Sequence, residues 1–142
     1  MAQRGPEAPG PRRVGLVLVS HSAQVASSVA HLATGLAGEG AAPVAAAGGT
    51  PDGGFGTDAD AIREAAHAVD EGAGVLLLAD LGSAVLTVRA LLAEGDELPE
   101  GSELLDAPFV EGAIAAVVSA AAGADRASVA AAAAEAYEYR KS

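Results

Sequence analysis

The chain has 142 residues and no cysteine, a length that suits one domain and excludes disulfides, cysteine-type zinc sites and a cysteine nucleophile. About half of its residues (51%) are hydrophobic but only 3% are aromatic, so we expect a folded chain with a tight core of small side chains. The 19 acidic and 8 basic residues give a formal charge of -11, which disfavours nucleic acid and anionic membranes and suits a basic protein partner.

The N-terminal segment, residues 1–13, carries three of the seven prolines and is predicted to be a disordered tail. The domain itself is expected over residues 14–142. The early apolar run Val14–Val19 is far shorter than the ~20 residues of a membrane-spanning helix and too short for a signal peptide. We therefore expect a cytoplasmic protein without a targeting segment.

The pattern of apolar residues predicts strands that alternate with helices. Val14–Val19 is continuous, apolar and rich in β-branched residues, as is typical of a strand buried on both faces. A helix follows between Ser22, its predicted N-cap, and Gly38, just past its end. Its apolar stripe consists of Val25, Val29, Leu32 and Leu36. A weak second strand, Pro43–Ala47, leads into a glycine-rich loop at residues 48–56.

The rest of the chain continues the alternation. A second helix is predicted after a cap at Thr57 or Asp58, and Val75–Ala79 is a clear buried strand. This order favours an α/β fold, with a mainly parallel sheet and helices on both faces. The remaining predicted elements are a third helix from Gly82-Ser83, a short strand near Glu103–Asp106, and closing helices at Val110–Ala122 and Ala127–Tyr139.

Two polar residues follow predicted strands at the edge where parallel sheets bind ligands, His21 after the first strand and Asp80 after the third. If these strands are neighbours, the two side chains meet. A carboxylate bonded to one imidazole nitrogen fixes the tautomer and leaves the other nitrogen free as a nucleophile. The pattern suggests covalent chemistry on His21, oriented by Asp80. A structural histidine and a helix-capping aspartate are the alternative interpretations.

The surroundings of this pair suit a phosphoryl group. Helices begin directly after His21 and Asp80, so their N-terminal amides and dipoles point to this edge. The glycine-rich loop can add backbone donors, although it is not a P-loop and a flexible connection is the alternative. No metal site is predicted, because His31 and His67 have no partner at metal-ligand spacing. The candidate phosphate-binding residues are Ser22, Gly49, Thr50, Gly82 and Ser83.

Four segments in chain order carry a resemblance to one family. They are VGLVLVSHS at the first strand, AAGGT with DGGFGT in the glycine-rich loop, LLLADLGSAV at the third strand, and APFVEGA at the start of the fourth helix. Together they resemble the mannose-type EIIA domains of the phosphoenolpyruvate-dependent phosphotransferase system. Within that family, DLGSA resembles the DhaM group, phosphoryl-donor subunits of dihydroxyacetone kinase, more than the sugar-specific EIIA proteins. The likeness spans about Val14 to the C-terminus.

The resemblance implies a four-stranded parallel sheet of order 2-1-3-4 and a homodimer, and no cofactor. It implies that His21 accepts a phosphoryl group at Nε2 from the carrier HPr, itself charged by Enzyme I. The group would pass to ADP bound on DhaL, and the ATP formed there would serve the phosphorylation of dihydroxyacetone by DhaK. Asp80 would orient His21, with Gly49-Thr50 and Gly82-Ser83 around the phosphate. Since the chain ends at Ser142, we expect the single-domain form, which uses separate HPr.

Other functions stay open at this point. A mannose-class EIIA would pass the phosphoryl group to a sugar-specific EIIB protein. A regulatory domain of the same fold would never be phosphorylated at His21. A flavodoxin-like cofactor domain is disfavoured by the scarcity of aromatic residues. Because Lys and Arg are nearly absent from the predicted site, a carrier would depend on its partner for positive charge.

Overall fold

The structure, a computed structural model, describes residues 12–38, 40 and 42–142. Strands and helices alternate along the chain, as the sequence predicts. The strands are β1 (Gly15–Ser20), β2 (Val44–Gly48), β3 (Val75–Ala79) and β4 (Ser102–Leu104). The helices are α1 (Ala23–Ala37), α2 (Ala59–Ala68), α3 (Gly82–Ala93), α4 (Phe109–Ala121) and α5 (Arg126–Glu135), with a final 3₁₀ turn at Ala136–Glu138.

The four strands form one sheet in the order β2-β1-β3-β4, and every pair is parallel. The predicted α/β fold and strand order are therefore confirmed. In the centre, Val19 of β1 lies beside Ala79 of β3. The residues that follow these two strands consequently emerge next to each other at the carboxyl edge of the sheet.

Two layers of helices cover the sheet. Alternate side chains of β1 enter different cores, Leu16 and Leu18 on the side of α1, α4 and α5, and Val17 and Val19 on the side of α2 and α3. Much of the helical contribution is alanine, which lets the helices approach the sheet closely. The buried alanines of the helices include Ala26, Ala33, Ala66, Ala84, Ala113, Ala116, Ala120 and Ala133.

Helix α1 begins and ends where predicted, with Ser22 as its N-cap and Gly38 as its C-cap. The face that this helix buries is not the predicted stripe of large apolar residues. The stripe member Val29 is buried, whereas Val25, Leu32 and Leu36 are exposed. The close approach of the helix to the sheet favours the small residues of an adjacent face, so the buried side consists of Ala26, Val29 and Ala33.

The other differences from the predicted elements are at their ends. The last strand is Ser102–Leu104 rather than Glu103–Asp106, and the last α-helix ends at Glu135 rather than at Tyr139. Most of the predicted tail, residues 1–11, lies outside the described residues. Its final residue, Arg13, contacts the domain by donating from its backbone N–H to Glu71 and from its side chain to the carbonyl of Ala121. No helix in the described part of the chain is long and apolar enough to cross a membrane.

Substitution of Gly48 tests how closely β2 approaches the start of α1. A Cβ at this position would lie 2.4 Å from the carbonyl oxygen of Ser22, so Gly48→Ala must displace backbone beside the site. We expect a loss of about 1–3 kcal/mol in the free energy of unfolding, measured in urea. The matched control is Gly35→Ala within α1, where a Cβ meets nothing within 4 Å. This control should gain up to about 1 kcal/mol. A Gly48→Ala variant as stable as wild type would contradict the packing described here.

Candidate active site

His21 follows β1 directly, and Asp80 follows the neighbouring strand β3. The predicted meeting of the two side chains is confirmed, because Nδ1 of His21 lies 2.9 Å from Oδ1 of Asp80. Both side chains are partly buried, with 23% of His21 and 15% of Asp80 exposed. A carboxylate only accepts hydrogen bonds, so Nδ1 carries the proton and Nε2 holds a free electron pair.

Asp80 is fixed by three further donors besides the imidazole. Its Oδ2 accepts from the Ser20 hydroxyl at 2.8 Å and from the backbone N–H of His21 at 3.1 Å. Its Oδ1 also accepts from the backbone N–H of Leu81 at 2.7 Å. The carboxylate is thereby held in one orientation, and so is the imidazole that it contacts.

These contacts determine the charge of Asp80. Burial by itself would raise the pKa of this carboxyl group. The hydrogen bonds from the His21 N–H, the Ser20 hydroxyl, the His21 ring and the Leu81 N–H together outweigh burial and place the pKa below its ordinary value of 3.8. Asp80 is therefore an anion at neutral pH, able to stabilise positive charge on the imidazole.

The other imidazole nitrogen faces the start of α3. Nε2 of His21 is hydrogen-bonded to the hydroxyl of Ser83, the second residue of that helix. The first N–H groups of a helix have no partner within it and carry its positive dipole end. No side chain caps α3, and its first turn carries no acidic residue. The exposed residues Gly82 and Ser83 thus present donors beside Nε2, where an anion would be stabilised.

The remaining predicted phosphate contacts lie close to the pair but are engaged elsewhere. The hydroxyl of Ser22 caps α1 by accepting from the N–H of Val25 at 3.2 Å. Gly49 adopts a φ of +75° and packs against the N-terminus of α1. The hydroxyl of Thr50 donates to Asp52 and accepts from the N–H of Gly54 within the glycine-rich loop. Of the predicted residues, the structure thus brings His21, Asp80 and Ser83 into direct contact.

Ser20 is a site residue that the sequence reasoning missed. It is fully buried, donates to Asp80, and accepts from the backbone N–H of Ser22 at 3.0 Å. A signal was present, since Ser20 is the one polar residue at the end of an otherwise apolar strand. A buried hydroxyl needs a hydrogen-bond partner, and the predicted pair of His21 and Asp80 offered one at the end of this strand.

The end of the glycine-rich loop and the residue after it are hydrogen-bonded to His21 and to α3. The N–H of Gly56 donates to the His21 carbonyl at 2.9 Å. The hydroxyls of Thr57 and Thr87 lie 2.9 Å apart, and Thr87 donates to the carbonyl of Ser83. These bonds fix the loop against the helix that carries the Ser83 hydroxyl.

The site is an exposed edge rather than a deep pocket. An apolar groove of about 520 Å³ lies between α4 and α5, away from His21. Within the described ranges, the hydrogen bonds of His21, Asp80 and Ser83 involve no Lys or Arg. No three His, Asp or Glu side chains of the described residues are grouped to hold a metal ion. The geometry suits a nucleophilic histidine that meets its reaction partner at the protein surface.

Comparison with known proteins identifies the family. The sequence model of the EIIA-man family, described as the PTS system fructose IIA component, matches residues 15–130. The chain belongs to this family. A dihydroxyacetone kinase 2 phosphoryl donor subunit DhaM from Listeria innocua is 33% identical over 106 residues, which cover 74% of this chain and 84% of the relative. The resemblance to the DhaM group is therefore confirmed.

Longer DhaM proteins are also similar to this chain. The DhaM subunit of the PEP-dependent dihydroxyacetone kinase of Escherichia coli is 40% identical over 115 residues, and that of Pantoea ananatis is 44% identical over 115 residues. In both cases the match covers 79% of this chain but 24% of the relative. The chain thus spans about a quarter of the length of these two relatives.

Solved structures share the fold. A crystal structure of a protein of unknown function, EF1359, has a TM-score of 0.74 and 30% sequence identity, covering 85% of this chain and 92% of that one. A sigma-54 interaction domain protein from Enterococcus faecalis has a TM-score of 0.66 at 18% identity, covering 91% and 93%. The second likeness concerns the fold alone.

Asp80→Asn tests the hydrogen bonds that hold the site. At neutral pH the variant loses a carboxylate that accepts from four donors, one of them the buried Ser20 hydroxyl, so we expect about 1–3 kcal/mol less stability. The pKa of Asp80 in the folded protein lies below its ordinary value of 3.8. Its contribution to the free energy of unfolding is therefore present above pH 3.8 and is lost as the pH falls through the folded-state pKa. Urea unfolding at pH 7 and at decreasing pH should show the gap between variant and wild type narrowing below pH 3.8.

Asp96→Asn is the control for this experiment. Asp96 is exposed and lies beyond the C-terminal end of α3, away from the carboxyl edge. This variant should change the free energy of unfolding by less than about 0.5 kcal/mol, both at pH 7 and in the acid range. A gap for Asp80→Asn that stays constant across the acid range would contradict the ionised, hydrogen-bonded state of Asp80.

Proposed function

We propose that this protein is a phosphohistidine carrier, with Nε2 of His21 as the phosphorylated atom. The observation that supports it most directly is the hydrogen bond from Nδ1 to Asp80, which leaves Nε2 as the nucleophilic nitrogen. Nε2 is directed to the Ser83 hydroxyl and the N-terminus of α3, where phosphate oxygens would find donors. The DhaM relatives, named as phosphoryl donor subunits, support the same role.

Transfer of the phosphoryl group requires a covalent bond to only one atom of the protein, Nε2 of His21. The electron pair of Nε2 attacks the phosphorus of the phosphorylated donor HPr, and the P–N bond to the donor histidine breaks as the new P–N bond forms. The Nδ1 proton stays in its hydrogen bond to Asp80, whose negative charge stabilises the imidazolium character of the phosphorylated ring. Discharge reverses this step, as an oxygen of the ADP β-phosphate on DhaL takes the phosphoryl group and yields ATP.

The residues around Nε2 position the phosphoryl group. Ser83 now occupies the hydrogen bond of Nε2, so its hydroxyl turns to a phosphoryl oxygen when the bond to phosphorus forms. The backbone N–H groups of Gly82 and Ser83 stabilise the negative oxygens, with Ser22, Gly49 and Thr50 as further surroundings on the α1 side.

The partners that we propose are supported by the likeness to the DhaM group and by the exposure of the site. HPr is the donor, DhaL with bound ADP the acceptor, and DhaK uses the ATP to phosphorylate dihydroxyacetone. The protein acts as the phosphotransferase subunit of this relay and assembles as a homodimer. His21 lies at an open edge of the sheet, away from the groove between α4 and α5, which favours a protein partner over a small-molecule substrate.

A sugar-transport role is the second candidate. The matching family is described as a fructose IIA component, which favours an EIIA that passes its phosphoryl group to an EIIB protein. The two candidates share the chemistry of His21 and differ only in the acceptor, so one experiment separates them.

The test is intact-mass analysis after incubation with phosphoenolpyruvate, Enzyme I and HPr. We expect the wild type to gain one acid-labile phosphoryl group, because a phosphoramidate bond to imidazole hydrolyses in acid. His21→Ala should gain none, and His67→Ala, which alters an exposed histidine bonded to Glu97, serves as the matched control and should react as wild type.

The acceptor is identified in the same samples. Discharge by DhaL with ADP, measured as ATP formed, supports the dihydroxyacetone kinase relay, and discharge by an EIIB protein supports the sugar-transport role. Phosphorylation that persists in His21→Ala would overturn the assignment of the site. A wild type that gains no mass with active HPr would move the interpretation to a regulatory domain.

A further inference from the structure

The Thr57 hydroxyl is hydrogen-bonded far along the chain rather than within its own helix. Thr57 lies two residues before α2, and the cap of that helix is Asp58, whose carboxylate accepts from the N–H of Asp60. The Thr57 hydroxyl instead lies 2.9 Å from the hydroxyl of Thr87 in α3, 30 residues further along the chain. This contact therefore joins the end of the glycine-rich loop to the helix that follows Asp80.

The direction of this hydrogen bond follows from the number of protons available. A hydroxyl has one proton to donate. Thr87 donates its proton to the carbonyl of Ser83 at 3.0 Å, one helical turn earlier. Its oxygen must therefore accept in the contact with Thr57, so the Thr57 hydroxyl is the donor. Valine at position 57 would keep the shape of threonine but would remove this donor.

Together with the contacts of Ser83, these hydrogen bonds form a closed ring that begins and ends at His21. The backbone carbonyl of His21 accepts from the N–H of Gly56 at 2.9 Å. The ring continues through Thr57 to Thr87, and from there to the carbonyl of Ser83. The Ser83 hydroxyl closes it by donating to Nε2 of His21. The first turn of α3 is thus held to His21 from a second direction, besides the pairing of β1 with β3.

Ser83 needs this second support because α3 begins with few contacts. No side chain of the described residues caps the helix, and no atom lies within 4 Å of a Cβ added at Gly82. Helix ends with unpaired N–H groups fray readily. Thr57 and Thr87 are partly buried, so water competes less for their hydrogen bond than at the exposed Ser83. The less exposed part of the ring therefore fixes the exposed part, where a phosphoryl group would bind.

We propose that Thr57 is a positioning residue for phosphoryl transfer at His21, acting through Thr87 and Ser83. The inference rests on the proposed carrier function. When Nε2 bonds to phosphorus, the ring opens only at the Ser83 hydroxyl, which turns to a phosphoryl oxygen. The other hydrogen bonds persist and keep this hydroxyl within reach of the group. Loss of the Thr57 hydroxyl leaves the nucleophile in place but misplaces a donor that stabilises the transferred charge.

The first measurement uses the free protein and needs no phosphorylation. A hydroxyl that donates to Nε2 changes the nitrogen-15 resonance of that atom, and Ser83→Ala gives the resonance of the neutral imidazole without this hydrogen bond. We expect Thr57→Val to move the Nε2 resonance of His21 toward its value in Ser83→Ala. Thr57→Ser, which keeps the hydroxyl, should stay near wild type. A resonance in Thr57→Val identical to that of wild type would overturn the positioning role.

The second measurement is the rate at which phosphoramidate phosphorylates His21. Nε2 bonds to phosphorus as the P–N bond of phosphoramidate breaks and ammonia leaves, so no protein partner is needed. We expect Thr57→Val to lower this rate about 10-fold, since a small misplacement of a stabilising group slows a reaction strongly. In the Ser83→Ala background the same substitution should lower the rate by less than about twofold, because the two residues act as one unit. Thr57→Ser should restore the wild-type rate within about twofold.

Thr34→Val is the matched control, because Thr34 is exposed on α1 toward the end of that helix remote from His21. It should match wild type in both measurements. An equal loss of rate for Thr57→Val with and without the Ser83 hydroxyl would overturn the action through Ser83 and indicate a general effect on stability. A wild type that reacts with neither phosphoramidate nor phosphorylated HPr would overturn the carrier function and with it the role in transfer, whereas the Nε2 resonance tests the ring of hydrogen bonds in either case.

Discussion

The hydrogen bond between the Asp80 carboxylate and Nδ1 of His21 is the interaction on which the site depends. It selects the tautomer, orients the ring and leaves Nε2 as the atom that would react in the proposed carrier. The bond is possible because β1 and β3 are parallel neighbours that end at the same edge. Ser20 and the backbone N–H groups of His21 and Leu81 keep the carboxylate ionised and in place. Strand pairing, not a flexible loop, therefore determines the geometry of the His21–Asp80 pair.

The exposure of this site is consistent with its hydrogen bonds, which involve no Lys or Arg among the residues that the structure describes. A carrier must release what it accepts, and a phosphohistidine surrounded by bound Lys and Arg would be a poorer donor. Here the fixed stabilisation comes from the N-terminus of α3 and the Ser83 hydroxyl, which are modest and reversible. Positive charge would arrive with each partner and leave with it. An open edge allows different proteins to reach the same nitrogen in turn.

Much of the fold and of the candidate site could be predicted from the sequence, for physical reasons that differ between elements. Continuous apolar runs identified β1 and β3 because strands buried on both faces need them, and their order placed His21 beside Asp80. The buried face of α1 was harder, since alanine carries little periodic signal and its large residues remain exposed. The contact of Ser20 with Asp80 was not predicted, because the last residue of an apolar strand can point its side chain to either face of the sheet. The Thr50 hydroxyl likewise turned to Asp52, a loop neighbour, which spacing alone could not reveal.

The most direct test of the role of Asp80 is the position of the phosphoryl group on the imidazole of His21. Long-range proton–nitrogen correlation spectra of histidine-labelled protein, recorded before and after phosphorylation, distinguish the two ring nitrogens. We expect Nδ1 to carry the proton in the free protein and to keep it, and coupling to phosphorus to appear only at Nε2. Phosphorus bonded to Nδ1, or a free protein protonated at Nε2 alone, would contradict the role assigned to Asp80.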